Sequence, residues 1–133
     1  MSLTIPDELL VRAQNRADDA SLERAFADSI RQSLPYAFGI VETLAEQLAR
    51  GDADWVEHSV PPPSEWERAQ LLRMMGGDAI RGAVERYFGI KLAFQNCHRT
   101  AVFRPDTVDS PAYREFTSIR SQILNQTPEL VDC

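Results

Sequence analysis

Apolar positions recur every three to four residues along most of this chain, the spacing of one face of an α-helix. The longest such stretch is SLERAFADSIRQSLPYAFGIVETLAEQLARG, residues 21–51. Leu22, Ala25, Phe26, Ile30 and Leu34 form one stripe before Pro35, and Ile40, Val41, Leu44, Ala45 and Leu48 form another after it. Proline disfavours helical geometry at the residue before it and lacks an N–H donor. The pattern therefore predicts two helices broken at Pro35, rather than one kinked helix of about 30 residues. Gly51 marks the stop.

Shorter helices flank this pair. Pro6, followed by Asp7 and Glu8, suits a helix N-terminus. Leu9, Leu10, Ala13, Ala17 and Ala20 trace one face of a helix over about 6–19, with Ser21 as the next N-cap. Ser64 and Glu67 have the spacing of a capping box, and Ala69, Leu72 and Met75 continue that helix to Gly76-Gly77. Asp78 is the expected cap of a helix carrying Ile80, Ala83, Val84, Tyr87 and Phe88, stopped by Gly89. Ser110-Pro111 opens a last helix whose stripe is Ala112, Phe116, Ile119 and Ile123, with Asn125 at its left-handed cap and a loosely held tail over 126–133.

Two stretches resist this reading. Residues 52–63 form the longest expected loop, acidic at DADWVEH and stiff at Val60-Pro61-Pro62-Pro63, with Trp55 and Val56 pinned to the core. In 90–103, Ile90, Leu92 and Phe94 alternate, as do Ala101 and Phe103. A short hairpin and a buried helix both fit; the helical character of every other element tips the expectation to helix. The expected fold is mainly α, a single compact helical domain of five to seven helices: an acidic helical half over 1–51, the Pro-containing loop 52–63, and a second helical half over 64–125.

Charge divides the chain. Residues 1–65 carry 12 acids and 5 arginines, whereas 68–104 carry seven basic residues against Asp78 and Glu85. Such asymmetry suits electrostatic steering of a charged partner. Arg81, Arg86, Lys91, His98, Arg99 and Arg104 are the candidate binding residues for a partner or an anion. Thirteen of the fourteen basic residues are arginine, which fits a GC-biased genome. The pI of about 4.9 argues against a phosphate-backbone binder, so nucleic acid is not the expected partner. No apolar run approaches the ~18 residues of a membrane span. MSLTIPDELL has neither the basic nor the apolar run of a secretory signal, so a cytoplasmic protein is expected.

Chemistry-bearing residues are few. Cys97 and Cys133 do not make a disulfide framework, and reduced thiols are expected. Cys97, His98 and His58 supply three metal ligands only if the long loop folds onto the second half, and Cys97-His98 as nucleophile and base suffers from adjacency. Asp52, Asp54 and Glu57 lack the spacing of an EF-hand. Gly76-Gly77-Asp78, with Arg81 in the following turn, is a helix–helix turn more readily than an anion cradle. No metal, cofactor or catalytic residue is expected.

The expected function is non-catalytic, acting by binding another protein or a second copy of itself. One alternative is a small helical enzyme whose pocket uses His58, Cys97, His98 and the arginines. Another follows from residues 2–34, SLTIPDELLVRAQNRADDASLERAFADSIRQSL, in which a short strand before Pro6 and two helices resemble a ribbon-helix-helix DNA-binding domain. The resemblance implies that Ser2 and Thr4 face the major groove and that residues 2–5 pair with a symmetry mate. The segment departs from that pattern in having an acidic balance and no basic residue in the strand.

Overall fold

The computed structural model describes residues 2–15 and 20–125. Seven α-helices and three short strands follow in the order α1 (Asp7–Gln14), α2 (Ala20–Ser33), α3 (Pro35–Arg50), β1 (Trp55–His58), α4 (Glu65–Gly76), α5 (Asp78–Phe88), β2 (Lys91–Gln95), β3 (Arg99–Phe103), α6 (Pro111–Phe116) and α7 (Ile119–Leu124). A 3-10 turn at Pro105–Thr107 joins β3 to α6. The fold is mainly α, and the number of helices falls within the expected range.

The break at Pro35 is as expected: α2 ends at Ser33, and Pro35 is the first residue of α3. Leu34 gives α3 no side-chain cap, so its first N–H groups need another acceptor. Gln70 supplies it from α4. Its Oε1 accepts from Tyr36 N at 2.7 Å and Ala37 N at 3.3 Å, deep in the core. This buried glutamine also explains why the α4 stripe expected at Ala69, Leu72 and Met75 is out of phase. The buried face is Gln70, Leu71, Met74 and Met75, and Leu72 is exposed.

The helical expectation for 90–103 is corrected. Lys91–Gln95 and Arg99–Phe103 form an antiparallel hairpin, turned at Asn96 with a positive φ of 61°. The hairpin escapes the marginality of an isolated pair because β1, inside the expected loop 52–63, adds a third strand in the order β1-β3-β2. Trp55 pairs with Phe103 and His58 with Thr100.

Alternation across the strands gives the sheet two buried faces. Val56, Leu92, Phe94 and Val102 pack with the main core of α2–α5, built on Ile30, Leu34, Phe38, Val41, Leu71, Met74 and Val84. Ala93, Ala101 and Phe103 face the other way, onto Phe116, Ala112 and Tyr113 of α6, with Trp55 alongside. The sheet is thus a middle layer between a large helical layer and a small one.

Other local signals are met or displaced. Ser64 caps α4 by accepting from Glu67 N, as expected, but Glu67 Oε1 accepts from the Ser64 hydroxyl and not from its backbone N–H. Ser110 caps α6, and Gly89 ends α5 at φ 66°. Asp78 does not cap α5; Gly77 holds that position and Asp78 pairs with Arg81. Ser21 lies inside α2 and its hydroxyl accepts from Arg12. The expected last helix is two, α6 and α7, separated at Thr117-Ser118, and Ile119 and Ile123 of its expected apolar stripe are exposed. Asn125 ends α7 at φ −93°, outside the left-handed region. Tyr87 is exposed at its edge because its hydroxyl meets Arg31. The first helix, expected over about 6–19, is shorter: α1 ends at Gln14 with Asn15 as its C-cap. The tail 126–133 lies outside the described residues.

Candidate functional site

The six basic residues singled out by sequence do not converge on one spot. Arg104 is spent on the C-terminus of α3: its guanidinium donates to the carbonyls of Leu48 at 2.8 Å, Ala53 at 3.0 Å and Gly51 at 3.1 Å. Those are carbonyls a helix end leaves without intrahelical partners. Arg81 donates to Met75 O, tying the end of α4 to the start of α5. Arg99 bonds Glu57 at 2.6 Å and Gln95 at 2.8 Å and lies over the Phe116 ring. These three arginines bind the protein to itself.

Arg86 and Lys91 are more available. Arg86 pairs with Glu23 at 2.9 Å with both side chains substantially exposed, and Lys91 stands 3.6 Å from Glu85. They line one shallow groove of about 410 Å³ with Gly82, Glu85, Gly89, Ile90 and Pro105. A neighbouring groove shares Gly89, Ile90 and Pro105 and adds Arg104.

Arg86 also borders a different surface. A cavity of about 260 Å³ between α1, α2 and α5 is lined by Ile5, Leu9, Leu10, Ala13, Leu22 and Phe26, with Glu23 and Arg86 at one side. The expected packing face of α1 is only half used. Leu9 is buried, but Leu10 is 49% exposed, and Val11 and Ile5 are also open. The pairing of Glu23 with Arg86 leaves this rim nearly neutral.

Residues 2–6 form no strand. The backbone of Thr4 is instead met by α2: Thr4 N donates to Ser33 Oγ at 2.8 Å, and Ser29 donates to Thr4 O. The Thr4 N–H and C=O that a ribbon-helix-helix strand would offer to a symmetry mate are met here within the chain.

His98 lies near enough to His58 for the two rings to interact electrostatically. Burial lowers the His98 pKa from its ordinary value, the nearby cations Arg68 and His58 lower it further, and a hydrogen bond to the Ser59 backbone opposes them. Cys97 Sγ lies 3.8 Å from His98 Nδ1. The expectation of a reduced thiol is corrected: Cys97 is buried and disulfide-bonded. The chain's other cysteine, Cys133, lies outside the described residues. A bonded sulfur is no nucleophile, since the thiolate is the reactive form. Among the described residues no cluster of three or more histidine, cysteine, aspartate or glutamate side chains has metal-binding geometry. No helix among them is long and apolar enough to cross a membrane.

Sequence reasoning missed Gln70 and the open side of Leu10. Gln70 carries no sequence signal, because its importance lies in being buried.

The whole sequence, residues 1–133, matches the family described as the NucS shadow ORF. No curated protein and no solved structure matches the chain.

Proposed function

The chain belongs to the NucS shadow ORF family, whose description names a reading frame and no activity, and we propose that it works by binding another protein through the apolar cavity on α1, α2 and α5. The observation that carries this reading is the open cavity lined by Ile5, Leu9, Leu10, Ala13, Leu22 and Phe26, with Leu10 half exposed at its rim. Exposed apolar patches rimmed by polar groups mark interaction sites. An apolar helix face or loop of the partner, or α1 of a second copy, would fill it. Arg86 stands at its edge, paired with Glu23, and Lys91 lies beside it in the adjoining groove. Of the six basic candidates, Arg86 is one whose removal costs the fold little, since its pair with Glu23 is exposed. Arg81, Arg99 and Arg104 bind backbone or buried neighbours, and His98 lies in the turn between β2 and β3.

The test is affinity capture of the tagged chain from its native cell extract at low and raised salt, with mass spectrometry of the untagged strain alongside. Peptides of the untagged chain and a stoichiometric protein partner are expected, with capture weakened at raised salt and in the Arg86→Ala/Lys91→Ala double variant. A frame that yields no peptides, or a capture indifferent to both changes, would overturn the reading.

A further inference from the structure

The surface around the apolar cavity has a direction. Thr4 meets Ser29 and Ser33 near the end of α2, whereas Arg12 meets Ser21 near its start, so α1 runs antiparallel to α2. The two ends of the surface carry different groups. At the start of α1 stand Asp7 and Glu8, both exposed, and neither carboxylate makes an ion pair or hydrogen bond among the described residues. At the opposite end the first turns of α2 present Arg24, also exposed, whose guanidinium makes no such bond among the described residues. Arg24 lines a groove with Ala20, Glu23, Arg86 and Tyr87, and Glu23 and Arg86 also line the apolar cavity, so groove and cavity are continuous. Glu23 and Arg86 pair with each other, which leaves the Arg24 charge unmatched. Between the two ends, in the middle of α1, Leu10 and Val11 are open to solvent.

An acidic end, an apolar middle and a cationic end complement the same surface turned end for end. A two-fold contact is self-complementary: residue i of one copy meets residue j of the other, and j meets i. A two-fold axis perpendicular to α1 at its middle sets the α1 helices of two copies antiparallel. Leu10 and Val11 of each copy then cover those of the other, and Asp7 and Glu8 of each face Arg24 of the other. One contact thus matches both kinds of unpaired charge and closes the apolar middle. A partner face of uniform charge, or one wholly apolar, leaves at least one end unmatched.

Resting on the docking reading above, we propose that the occupant of this surface is a second copy of the chain, packed through antiparallel α1 helices with Asp7 and Glu8 against Arg24 at each end. The stoichiometric partner is then the chain itself.

The test is sedimentation equilibrium of the whole chain. The mass is expected to rise with concentration from 15.0 kDa to twice that value. Asp7→Lys/Glu8→Lys and Arg24→Glu each set like charges opposite one another at both ends of the contact. Each is expected to weaken association about tenfold to a hundredfold. All three side chains are exposed, and an unchanged thermal midpoint checks folding. An equimolar mixture of the two variants is expected to associate as the wild type does. In the mixed pair the new lysines face the new glutamate, and the native acids of one chain face the native Arg24 of the other. Such rescue also requires that both variants fold. A wild-type chain that stays monomeric overturns the proposal. So does a dimer that neither reversal weakens, or a mixture no tighter than its parts. A monomer that captures a different protein, and loses it in Leu10→Glu, overturns the second copy alone and keeps the docking reading. A monomer whose captures ignore Leu10→Glu sinks both.

Discussion

Two apolar surfaces of this protein have opposite fates. On the outer face of the sheet, Trp55 stacks on Phe103 at 5.2 Å between ring centroids, and Tyr113 and Phe116 of α6 close over them edge-on. The chain covers that surface itself, and Phe103 has no exposure at all. Along α1, comparable side chains stay open: Leu10 and Val11 are each about half exposed, and Ile5 is 43% exposed beside an unfilled cavity. Burial of an aliphatic side chain is worth about 1.5–3 kcal/mol, so folding takes that gain at one surface and leaves it at the other. The difference separates apolar residues that serve the fold from those that the proposed reading assigns to a partner.

Substitutions sharpen that contrast. Phe103→Ala removes the centre of the aromatic cluster and is expected to cost about 3–5 kcal/mol in urea denaturation. A loss below 1 kcal/mol would mean that α6 does not seal the sheet. Gln70→Ala strands the N–H groups of Tyr36 and Ala37, at about 1–3 kcal/mol for each donor left unmet. Arg104→Ala frees three carbonyls at the end of α3 and is expected to lower stability by about 2 kcal/mol. Arg86→Ala, breaking only an exposed pair, should change it by less than about 1 kcal/mol. Equal effects at Arg104 and Arg86 would erase the distinction between arginines that hold the fold and arginines that rim a groove.

The smallest expected effect is a pH dependence. The folded pKa of His98 lies below its ordinary value of 6.5, so the unfolded chain takes up the proton first. Its contribution is fully present above the unfolded value and is lost as pH falls through the folded one. Stability should therefore decline as the pH drops below 6.5, and His98→Gln should flatten that part of the profile. An unchanged slope in the variant would remove His98 from the account.

Much of the helical framework was legible because its signals are local. Pro35, the Ser64–Glu67 box, Ser110-Pro111 and Gly89 each act within a few residues of themselves. What was illegible depends on distant partners. The strand at Trp55–His58 holds only two apolar residues and exists through β3, more than forty positions later. The phase of α4 was misread because Gln70 looks like a surface residue until α3 presents uncapped N–H groups to it. Ile119 and Ile123 have helical spacing yet face outward, since the polar residues Ser121, Gln122 and Asn125 bind α7 to the hairpin turn. Positive charge was readable residue by residue, but its neutralisation was not: Glu57 lies forty-two positions from Arg99, and Glu23 sixty-three from Arg86. The apolar cavity was missed because the stripe of α1 reads as wholly buried.

The most direct measurement compares partner capture by Leu10→Glu with capture by Ile123→Glu. Each places a carboxylate at an exposed apolar position, the first on the cavity and the second on α7. Both variants should keep the wild-type thermal midpoint. The account predicts that Leu10→Glu loses the stoichiometric partner and Ile123→Glu retains it. Retention by Leu10→Glu with a folded chain would contradict the assignment of α1 as the docking surface.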